Sequence, residues 1–255
     1  EIVDLHKSYD GNKALNGLNL KIEEGEIYGF LGPNGAGKTT AIKIILGLII
    51  PDDGDVSVGG KDAFEESMSV RRNIGYLPEK LEMYGGFTVK ENLRFLCELK
   101  GCPDEDLDEL LKEFKMNDWG DKKIDSLSKG MLQRVGFLQT MIGDPDVYIL
   151  DEPTSGLDPR VRRWVKDKII DLKRREKTIF LSSHVLSEVQ ELCDRVGFVR
   201  DGEVIAEGDV ETFFDDLEMF PKLELKLENP IEAFKIIEEV EYIQRPRLVD
   251  EQLTL

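Results

Sequence analysis

Apolar runs alternate with helix-like stretches along most of the chain, and this alternation predicts the fold. Three runs have the length and composition of buried strands: Glu26–Leu31, Val147–Leu150 and Thr178–Ser182. Each is followed by a segment with helical periodicity, at about Lys38–Leu48, Arg160–Arg175 and Val185–Asp194. Because strands that alternate with helices form a mostly parallel sheet covered by helices, the chain is predicted to be an α/β protein.

Two further segments are predicted to flank this core. The opening stretch, Ile2–Glu24, has the pattern of short strands with a turn at Asp10–Asn12, which predicts an antiparallel β subdomain. Between about Thr88 and Gly143 apolar residues recur at helical spacing, which predicts an inserted helical subdomain at about residues 80–143. A hairpin around Asp201–Gly202 is expected near the end of this first domain, residues 1–210.

The last part of the chain differs in composition. From Asp209 onward acidic residues outnumber basic ones more than twofold. The pattern there predicts a helix, a strand at Leu223–Leu227, a second helix at Ile231–Val240 and a strand from Tyr242 onward. We therefore predict a small C-terminal α+β appendage at residues 211–255.

Charge and composition exclude several classes of function. The 255 residues carry a formal charge of −18, which disfavours an extended nucleic acid as partner because such binding depends on Lys and Arg. The most apolar run, Ile42–Ile50, falls well short of the roughly 20 residues of a membrane-spanning helix, so a soluble chain is expected. The three cysteines form no CxxC pair, which favours reduced thiols in a cytosolic protein.

A glycine-rich segment between the first buried strand and its helix carries the clearest chemical signal. Gly32–Thr39 fits the pattern G-x-x-x-x-G-K-T, in which backbone N–H groups and a helix N-terminus surround a phosphate. The alternative, a glycine-rich turn that binds nothing, is disfavoured by the strand before it and the helix after it. The predicted nucleotide-binding residues of this segment are Gly32, Pro33, Asn34, Gly35, Ala36, Gly37, Lys38, Thr39 and Thr40.

Two carboxylates end the strand at Val147–Leu150. Asp151 is predicted to hold Mg²⁺ together with Thr39, and Glu152 to accept a proton from an attacking water or to orient it. The competing interpretation is an acidic pair that caps a helix. His184 follows the next buried strand, where a hydrogen-bonded structural role competes with a catalytic one.

Further motifs resemble those of ATP-binding cassette (ABC) transporter subunits over residues 1 to about 210. Leu127–Met131 is similar to the family signature Leu-Ser-Gly-Gly-Gln, although a serine before a helix is also an ordinary N-cap. Ser155–Asp158 matches the D-loop, and Tyr76–Glu79 occupies the place of the Q-loop. Tyr9 stands where the family stacks an aromatic ring on adenine, with a half-buried strand tyrosine as the alternative.

The resemblance implies a fold, an activity and partners. The implied fold is a P-loop NTPase of the ABC cassette type. The implied function is ATP hydrolysis with Mg²⁺ that powers export through a separate membrane permease, from the cytoplasmic face of the membrane. Ser128 and Gly130 would contact ATP held by a second cassette, so a homodimer or a heterodimer is implied, with Asp158 at its seam. Glu152 and His184 would be the catalytic residues, and Thr39, Glu79 and Asp151 the metal ligands.

The sequence departs from the family pattern at three places. Position 79 is Glu rather than Gln, Lys129 replaces the middle Gly of the signature, and Met131 replaces its Gln. These variants resemble the ABC-2, drug-resistance type of exporter. Two alternatives stay open at this stage: a non-transport cassette ATPase that acts on DNA or ribosomes, and a regulatory nucleotide switch that hydrolyses ATP slowly.

Overall fold

The computed structural model describes residues 1–102 and 107–216, together with the short strands 224–226, 247–249 and 252–254. The strands are β1 Ile2–Tyr9, β2 Asn12–Leu20, β3 Ile27–Leu31, β4 Asp53–Val58, β5 Lys61–Asp62, β6 Ile74–Leu77, β7 Val147–Asp151, β8 Thr178–Ser183, β9 Arg195–Arg200, β10 Glu203–Asp209, β11 Glu224–Lys226, β12 Arg247–Val249 and β13 Gln252–Thr254. The helices are α1 Lys38–Ile45, α2 Ser67–Arg72, α3 Val89–Lys100, α4 Leu107–Glu113, α5 Lys129–Thr140, α6 Pro159–Arg174, α7 Leu186–Leu192 and α8 Val210–Asp216.

The chain divides into two compact units, Glu1–Val210 and Glu211–Leu255. In the first unit, a sheet of order β10-β9-β3-β8-β7-β6 forms the core. Its strands are parallel except for β10, which pairs antiparallel with β9 at one edge. All five residues of β3 are buried, as expected for a strand covered on both faces. The predicted α/β fold with a mostly parallel core sheet is confirmed.

A second sheet, of order β2-β1-β4-β5, is antiparallel throughout. Its apolar residues pack with those of α1 and of one face of the core sheet into a single hydrophobic cluster, in which Leu5, Leu18, Ile42, Phe30 and Phe180 are almost fully buried. The predicted antiparallel subdomain is confirmed. It holds α1, and with it the glycine-rich segment, against the core sheet.

Helices α3, α4 and α5 lie in the chain between β6 and β7. Together with α6 they share a second hydrophobic cluster with the other face of the core sheet. The guanidinium group of Arg134 on α5 lies 4.9 Å from the ring centre of Trp119 and 4.7 Å from that of Trp164 on α6. This cation–π sandwich fixes α5 to α6 at the border of the helical region.

Several sequence predictions need correction. The helix predicted to continue to Leu48 ends at Ile45, because Gly47 at φ +64° leaves the helical region of φ/ψ space. Asp53 and Gly54, which are residue types common in turns, lie in β4. Strands β4 to β6 and helix α2 were not predicted at all, since residues 53–77 contain short elements with mixed polar and apolar residues.

The second unit contains, among the described residues, a sheet of order β11-β13-β12 with antiparallel pairing. The strand predicted at Leu223–Leu227 corresponds to β11. The prediction of a single strand from Tyr242 onward is wrong in part, because two paired strands, β12 and β13, are found there. The helix predicted at Ile231–Val240 lies outside the described residues. None of the helices in the described part of the chain has the length and hydropathy needed to cross a membrane.

Candidate active site

The glycine-rich segment leaves the end of β3 and turns into α1. The N–H of Gly32 donates to the carbonyl of Ser183 on the neighbouring β8, at 3.1 Å, so the loop starts from a fixed point of the core sheet. Gly37 precedes α1, and no side chain caps the first turn of that helix. The free N–H groups of this turn and the helix dipole therefore remain available to an anion.

Gly37 lies where only glycine fits. Its φ of +103° is outside the range that other residues adopt readily, and a Cβ there would lie 2.5 Å from the carbonyl oxygen of Ala14. The neighbouring backbone cannot retreat easily, because Ala14 belongs to β2. The close approach of Ala14 to the loop joins the antiparallel sheet to the phosphate-binding segment.

We expect Gly37→Ala to lower nucleotide affinity by about 10-fold or more, because strain of about 1–3 kcal/mol has to be relieved by moving the loop. Titration with a fluorescent ATP analogue measures this loss. Gly59→Ala is the matched control, since Gly59 also has a positive φ but a methyl group at its Cβ position would have nothing within 4 Å. Equal affinity of Gly37→Ala and the wild-type chain would contradict the assignment of this loop.

Lys38 extends back from α1 over the loop. Its ammonium group donates to the carbonyl of Gly32 at 2.7 Å and to that of Pro33 at 3.2 Å. It also lies 3.5 Å from Oε1 of Glu152, and the Lys38 side chain is only 6% exposed. A buried cation held in this way balances the charge of Glu152 and has one ammonium proton left for a further acceptor.

Asp151 faces the loop from the end of β7. One of its carboxylate oxygens, Oδ1, accepts a hydrogen bond of 2.5 Å from the hydroxyl of Ser182, and Oδ2 lies 3.4 Å from Oγ1 of Thr39. Burial raises the pKa of Asp151, and the charges of Glu79 and Glu152 raise it further, whereas the hydrogen bonds with Ser182 and Thr39 lower it. The crowding of three carboxylates at one place is relieved by a cation.

Glu152 follows Asp151 with a φ of +49°, an unusual conformation for a residue other than glycine. Its Oε2 lies 2.8 Å from Nδ1 of His184, and its side chain is 9% exposed. Among the described residues no hydrogen-bond donor satisfies Oε1, and only the Lys38 ammonium group at 3.5 Å is near it. Glu152 is thus a buried carboxylate with one oxygen fixed by a histidine and the other able to accept a proton.

These groups surround a pocket of about 160 Å³. It is lined by Ala14, Asn34, Gly35, Gly37, Lys38, Thr39, Thr40, Glu79, Asp151 and Glu152. The structure therefore brings the glycine-rich loop, both strand-end carboxylates and Glu79 together, as their sequence motifs implied. A larger cavity, of about 490 Å³, lies among apolar residues that include Ile2, Val147 and Phe180, and it contains none of the predicted site residues.

The donor set of this pocket fits Mg²⁺. Hydroxyl and carboxylate oxygens are the ligands that Mg²⁺ takes from a protein, and it fills the rest of its shell with water and phosphate oxygens. Thr39 and Asp151 are already adjacent, and Glu79 lines the same pocket. In the described residues no group of three or more His, Cys, Asp or Glu side chains is arranged to hold a metal ion by itself.

Eight predicted residues do not line the pocket: Gly32, Pro33 and Ala36 belong to the glycine-rich segment, His184 contacts Glu152, and the other four are Tyr9, Ser128, Gly130 and Asp158. Tyr9 ends β1 with 43% of its surface exposed, and the Lys7 ammonium group lies 5.7 Å from its ring centre. Ser128 caps α5 by accepting from the N–H of Met131 at 3.3 Å, and Asp158 caps α6. A Cβ on Gly130 would lie 3.5 Å from Oδ2 of Asp158, so the signature and D-loop segments touch each other.

The signature helix is also tied to the loop that follows Glu152. Lys129 donates to the carbonyl of Gly156 at 2.8 Å, and Gln133, which is buried, donates to that of Pro153 at 2.9 Å. The family pattern has glycine at position 129, and glycine has no side chain that could reach Gly156. The contact with Gly156 therefore requires a long side chain with a hydrogen-bond donor at position 129. Sequence analysis identified the replacement but not this contact.

Ser182 and Ala14 were also missed as site residues. Ala14 contacts the loop through its carbonyl oxygen, which no sequence motif records. Ser182 carried a usable signal, because it is a hydroxyl residue at the end of an otherwise apolar strand, directly before Ser183 and His184. In the register of the sheet it pairs with Asp151.

Comparison with known sequences finds relatives across most of the chain. Residues 15–155 match the family profile described as ABC transporter. The chain is 39% identical over 208 residues to the ABC transporter ATP-binding protein NatA of Bacillus subtilis (strain 168), covering 80% of this chain and 85% of that protein. It is 39% identical over 206 residues to the bacitracin transport ATP-binding protein BcrA of Bacillus licheniformis, covering 80% and 67%. It is 38% identical over 209 residues to the Nod factor export ATP-binding protein I of Burkholderia orbicola (strain AU 1054), covering 80% and 69%.

Solved structures with the same fold are also found. One is described as the ATP binding subunit of an ABC transporter, with a TM-score of 0.78, 30% identity, and coverage of 86% of this chain and 93% of the other. Another is a dimeric ATP-binding cassette in a post-hydrolysis state bound to ADP and Pi, with a TM-score of 0.72, 25% identity, and coverage of 82% and 97%. The family match at residues 15–155 includes every residue that lines the pocket except Ala14.

Proposed function

The chain belongs to the ABC transporter family as an ATP-binding subunit with ATPase activity, and on this premise we propose that two such cassettes form a dimer that powers export through a separate membrane permease. The observation that carries the proposal is the position of Glu152, between Lys38 of the phosphate loop and His184. We assign the cassette to residues 1–210 and treat residues 211–255 as an appendage.

In the proposed reaction the loop binds the phosphates of ATP through its backbone N–H groups and Lys38. Thr39 and Asp151, with Glu79 beside them, would hold Mg²⁺, which neutralises charge on the β- and γ-phosphates. Glu152 accepts a proton at Oε1 from a water whose oxygen attacks the γ-phosphorus. The bond from that phosphorus to the oxygen bridging to the β-phosphate breaks, and ADP and phosphate leave.

His184 has two tasks in this scheme. Its Nδ1 fixes Oε2 of Glu152, so that Oε1 alone is free to receive the proton. Its side chain is 45% exposed, which leaves the opposite edge of the ring open toward the γ-phosphate. Tyr9, exposed at the end of β1, is assigned to stacking on the adenine ring.

The dimer is proposed because the signature lies away from the pocket of its own chain. Ser128 and Gly130 do not line that pocket, yet Ser128 begins a helix whose N-terminus favours an anion. A second copy in a head-to-tail arrangement brings these residues to the γ-phosphate, with Asp158 at the seam. The cassette with the same fold that is described as dimeric supports a dimer.

The permease is proposed from exposed aromatic side chains of the helical subdomain. Tyr84, Phe87 and Phe95 form an aromatic cluster with ring centres 5.4 to 5.5 Å apart, and each is more than a third exposed. This cluster follows Glu79 in the chain, so a partner seated on it would sense changes at the pocket. Relatives named for the transport of bacitracin and the export of Nod factor support an exporter. We further propose that the cassette lies on the cytoplasmic face of the membrane.

Of the two alternatives considered from the sequence, neither is favoured by an observation in the structure. A cassette that acts on nucleic acid is expected to have an excess of basic residues, whereas this chain has a formal charge of −18. A slow nucleotide switch is distinguished from a motor by its turnover with Mg-ATP.

We expect Ser128→Asp to reduce ATP hydrolysis by about 10-fold or more, because it places a negative charge opposite the γ-phosphate in the partner's site. Asp caps a helix as well as Ser does, so we expect α5 and the fold to be preserved. The measurement compares hydrolysis with binding of a fluorescent ATP analogue, which is expected to be unchanged.

Ser126→Asp, two residues earlier and also exposed, is the matched control for the added charge. Full hydrolysis by Ser128→Asp, at chain concentrations where the wild type is active, would exclude a signature that acts across a dimer.

A further inference from the structure

We propose that Ser182 is a positioning residue that sets the direction of the Asp151 carboxylate and fixes the backbone at Glu152. The proposal rests on the proposed function, because it concerns the residues assigned there to Mg²⁺ and to the attacking water. Ser182 is 0% exposed and lies at the end of β8, paired with Asp151 in the sheet.

The hydroxyl of Ser182 makes two hydrogen bonds with different roles. It donates its single proton to Oδ1 of Asp151 at 2.5 Å, and it accepts from the N–H of Glu152 at 3.0 Å. One buried group therefore touches both functional residues at the end of β7. A hydroxyl is the smallest group that can donate in one direction and accept from another, and alanine can do neither.

The first hydrogen bond determines which oxygen of Asp151 faces the phosphate loop. Because Oδ1 is engaged by Ser182, the carboxylate presents Oδ2 to Thr39, with the two oxygen atoms 3.4 Å apart. Without this bond the carboxylate is free to rotate about its Cβ–Cγ bond. The orientation that serves a metal ion between Asp151 and Thr39 is then no longer imposed.

The second hydrogen bond acts on a strained backbone. Glu152 has a φ of +49°, and its N–H is held by both the hydroxyl and, at 3.2 Å, the carbonyl oxygen of Ser182. An unfavourable backbone conformation persists only where the surroundings determine it. Ser182 is one of those determinants, so its hydroxyl influences the direction in which the Glu152 side chain leaves the strand.

The adjacent residue provides a matched control. Ser183 is also buried, at 1% exposure, but its hydroxyl accepts from the N–H of Val185 at 3.0 Å and lies 3.3 Å from Oε2 of Glu188. It therefore stabilises the turn into α7 without touching Asp151 or Glu152. Loss of either serine hydroxyl removes a buried polar group, but only the Ser182 hydroxyl contacts Asp151 and Glu152.

The experiment measures affinity for a fluorescent ATP analogue with Mg²⁺ and in EDTA, together with kcat, for Ser182→Ala, Ser182→Cys and Ser183→Ala. Cysteine is slightly larger than serine and is only a weak hydrogen-bond partner, so it removes the hydroxyl without creating a cavity. We expect both Ser182 variants to bind the analogue normally in EDTA. Their gain in affinity on adding Mg²⁺ and their kcat fall by about 10-fold.

For Ser183→Ala, we expect the ratio of the affinity with Mg²⁺ to the affinity in EDTA to equal that of the wild-type chain. If Ser182→Ala does not fold, Ser182→Cys carries the test by itself. A Ser182→Cys chain that keeps the full effect of Mg²⁺, or a Ser183→Ala chain that loses it equally, overturns the proposal. A wild-type chain without ATP hydrolysis would instead contradict the proposed function, so the two failures are distinguishable.

Discussion

Glu152→Gln is expected to reduce ATP hydrolysis by about 100-fold or more while ATP binding is retained. Glutamine keeps the shape of the side chain and its contact with His184, but it cannot accept a proton from water. In the wild-type chain no hydrogen-bond donor among the described residues satisfies Oε1. The substitution therefore removes proton acceptance at the oxygen atom that we propose receives the proton from water. Since ATP is bound but not consumed, the same variant is expected to accumulate as a dimer with Mg-ATP, which light scattering detects.

The control for this variant is Glu176→Gln. Glu176 is also a glutamate with positive φ, at +58°, but it lies exposed after α6 and away from the pocket. It should hydrolyse ATP at the wild-type rate. Substantial hydrolysis by Glu152→Gln would show that another group takes the proton, and a monomer in the presence of Mg-ATP would contradict the proposed dimer.

Lys38→Ala is expected to have the second large effect, on binding rather than on turnover. The ammonium group holds the loop through the carbonyls of Gly32 and Pro33 and balances the charge of Glu152, so its removal disturbs three contacts. Loss of one partner of a buried ion pair costs about 3–5 kcal/mol. If this cost appears in the binding free energy of the nucleotide, the affinity falls by about 100-fold or more. Equilibrium titration with the ATP analogue measures it.

Lys43→Ala is the matched control, because Lys43 lies on the same helix and is exposed. It removes the same charge without touching the loop. If Lys38→Ala bound the analogue as tightly as Lys43→Ala does, the loop would not be the phosphate site.

The parts of the fold that the sequence predicted are those with a strong local signal. Strands β3, β7 and β8 each contain a run of apolar residues, because both faces of a parallel sheet are buried. The phosphate loop is a motif whose glycines are required by backbone geometry, as at Gly37. Strands β4, β5 and β6 have no such signal: β4, Asp53–Val58, is a strand because it pairs with β1, and its sequence begins with the turn-like Asp-Gly-Asp.

The composition of the site was predictable from motifs, whereas its connections were not. Motifs identified Lys38, Asp151, Glu152 and His184 separately, but the hydrogen bond between Glu152 and His184 depends on the order of β3, β8 and β7 in the sheet. The same holds for Ser182, which acquires its role only from its register with Asp151. Long-range pairing of this kind is not encoded in any single window of sequence.

In the proposed dimer, each ATP site combines the phosphate loop of one chain with the signature of the other chain. Mixing the Lys38→Ala chain with the Ser128→Asp chain tests it most directly, because a mixed dimer has one site with both defects and one with neither. We expect each variant by itself to hydrolyse ATP at about a tenth of the wild-type rate or less, at ATP concentrations that do not saturate the Lys38→Ala chain. An equal mixture is expected to recover about a quarter of the wild-type rate, since half of the dimers are mixed and each of these has one intact site of two. A mixture that stays as inactive as its components would contradict the shared site.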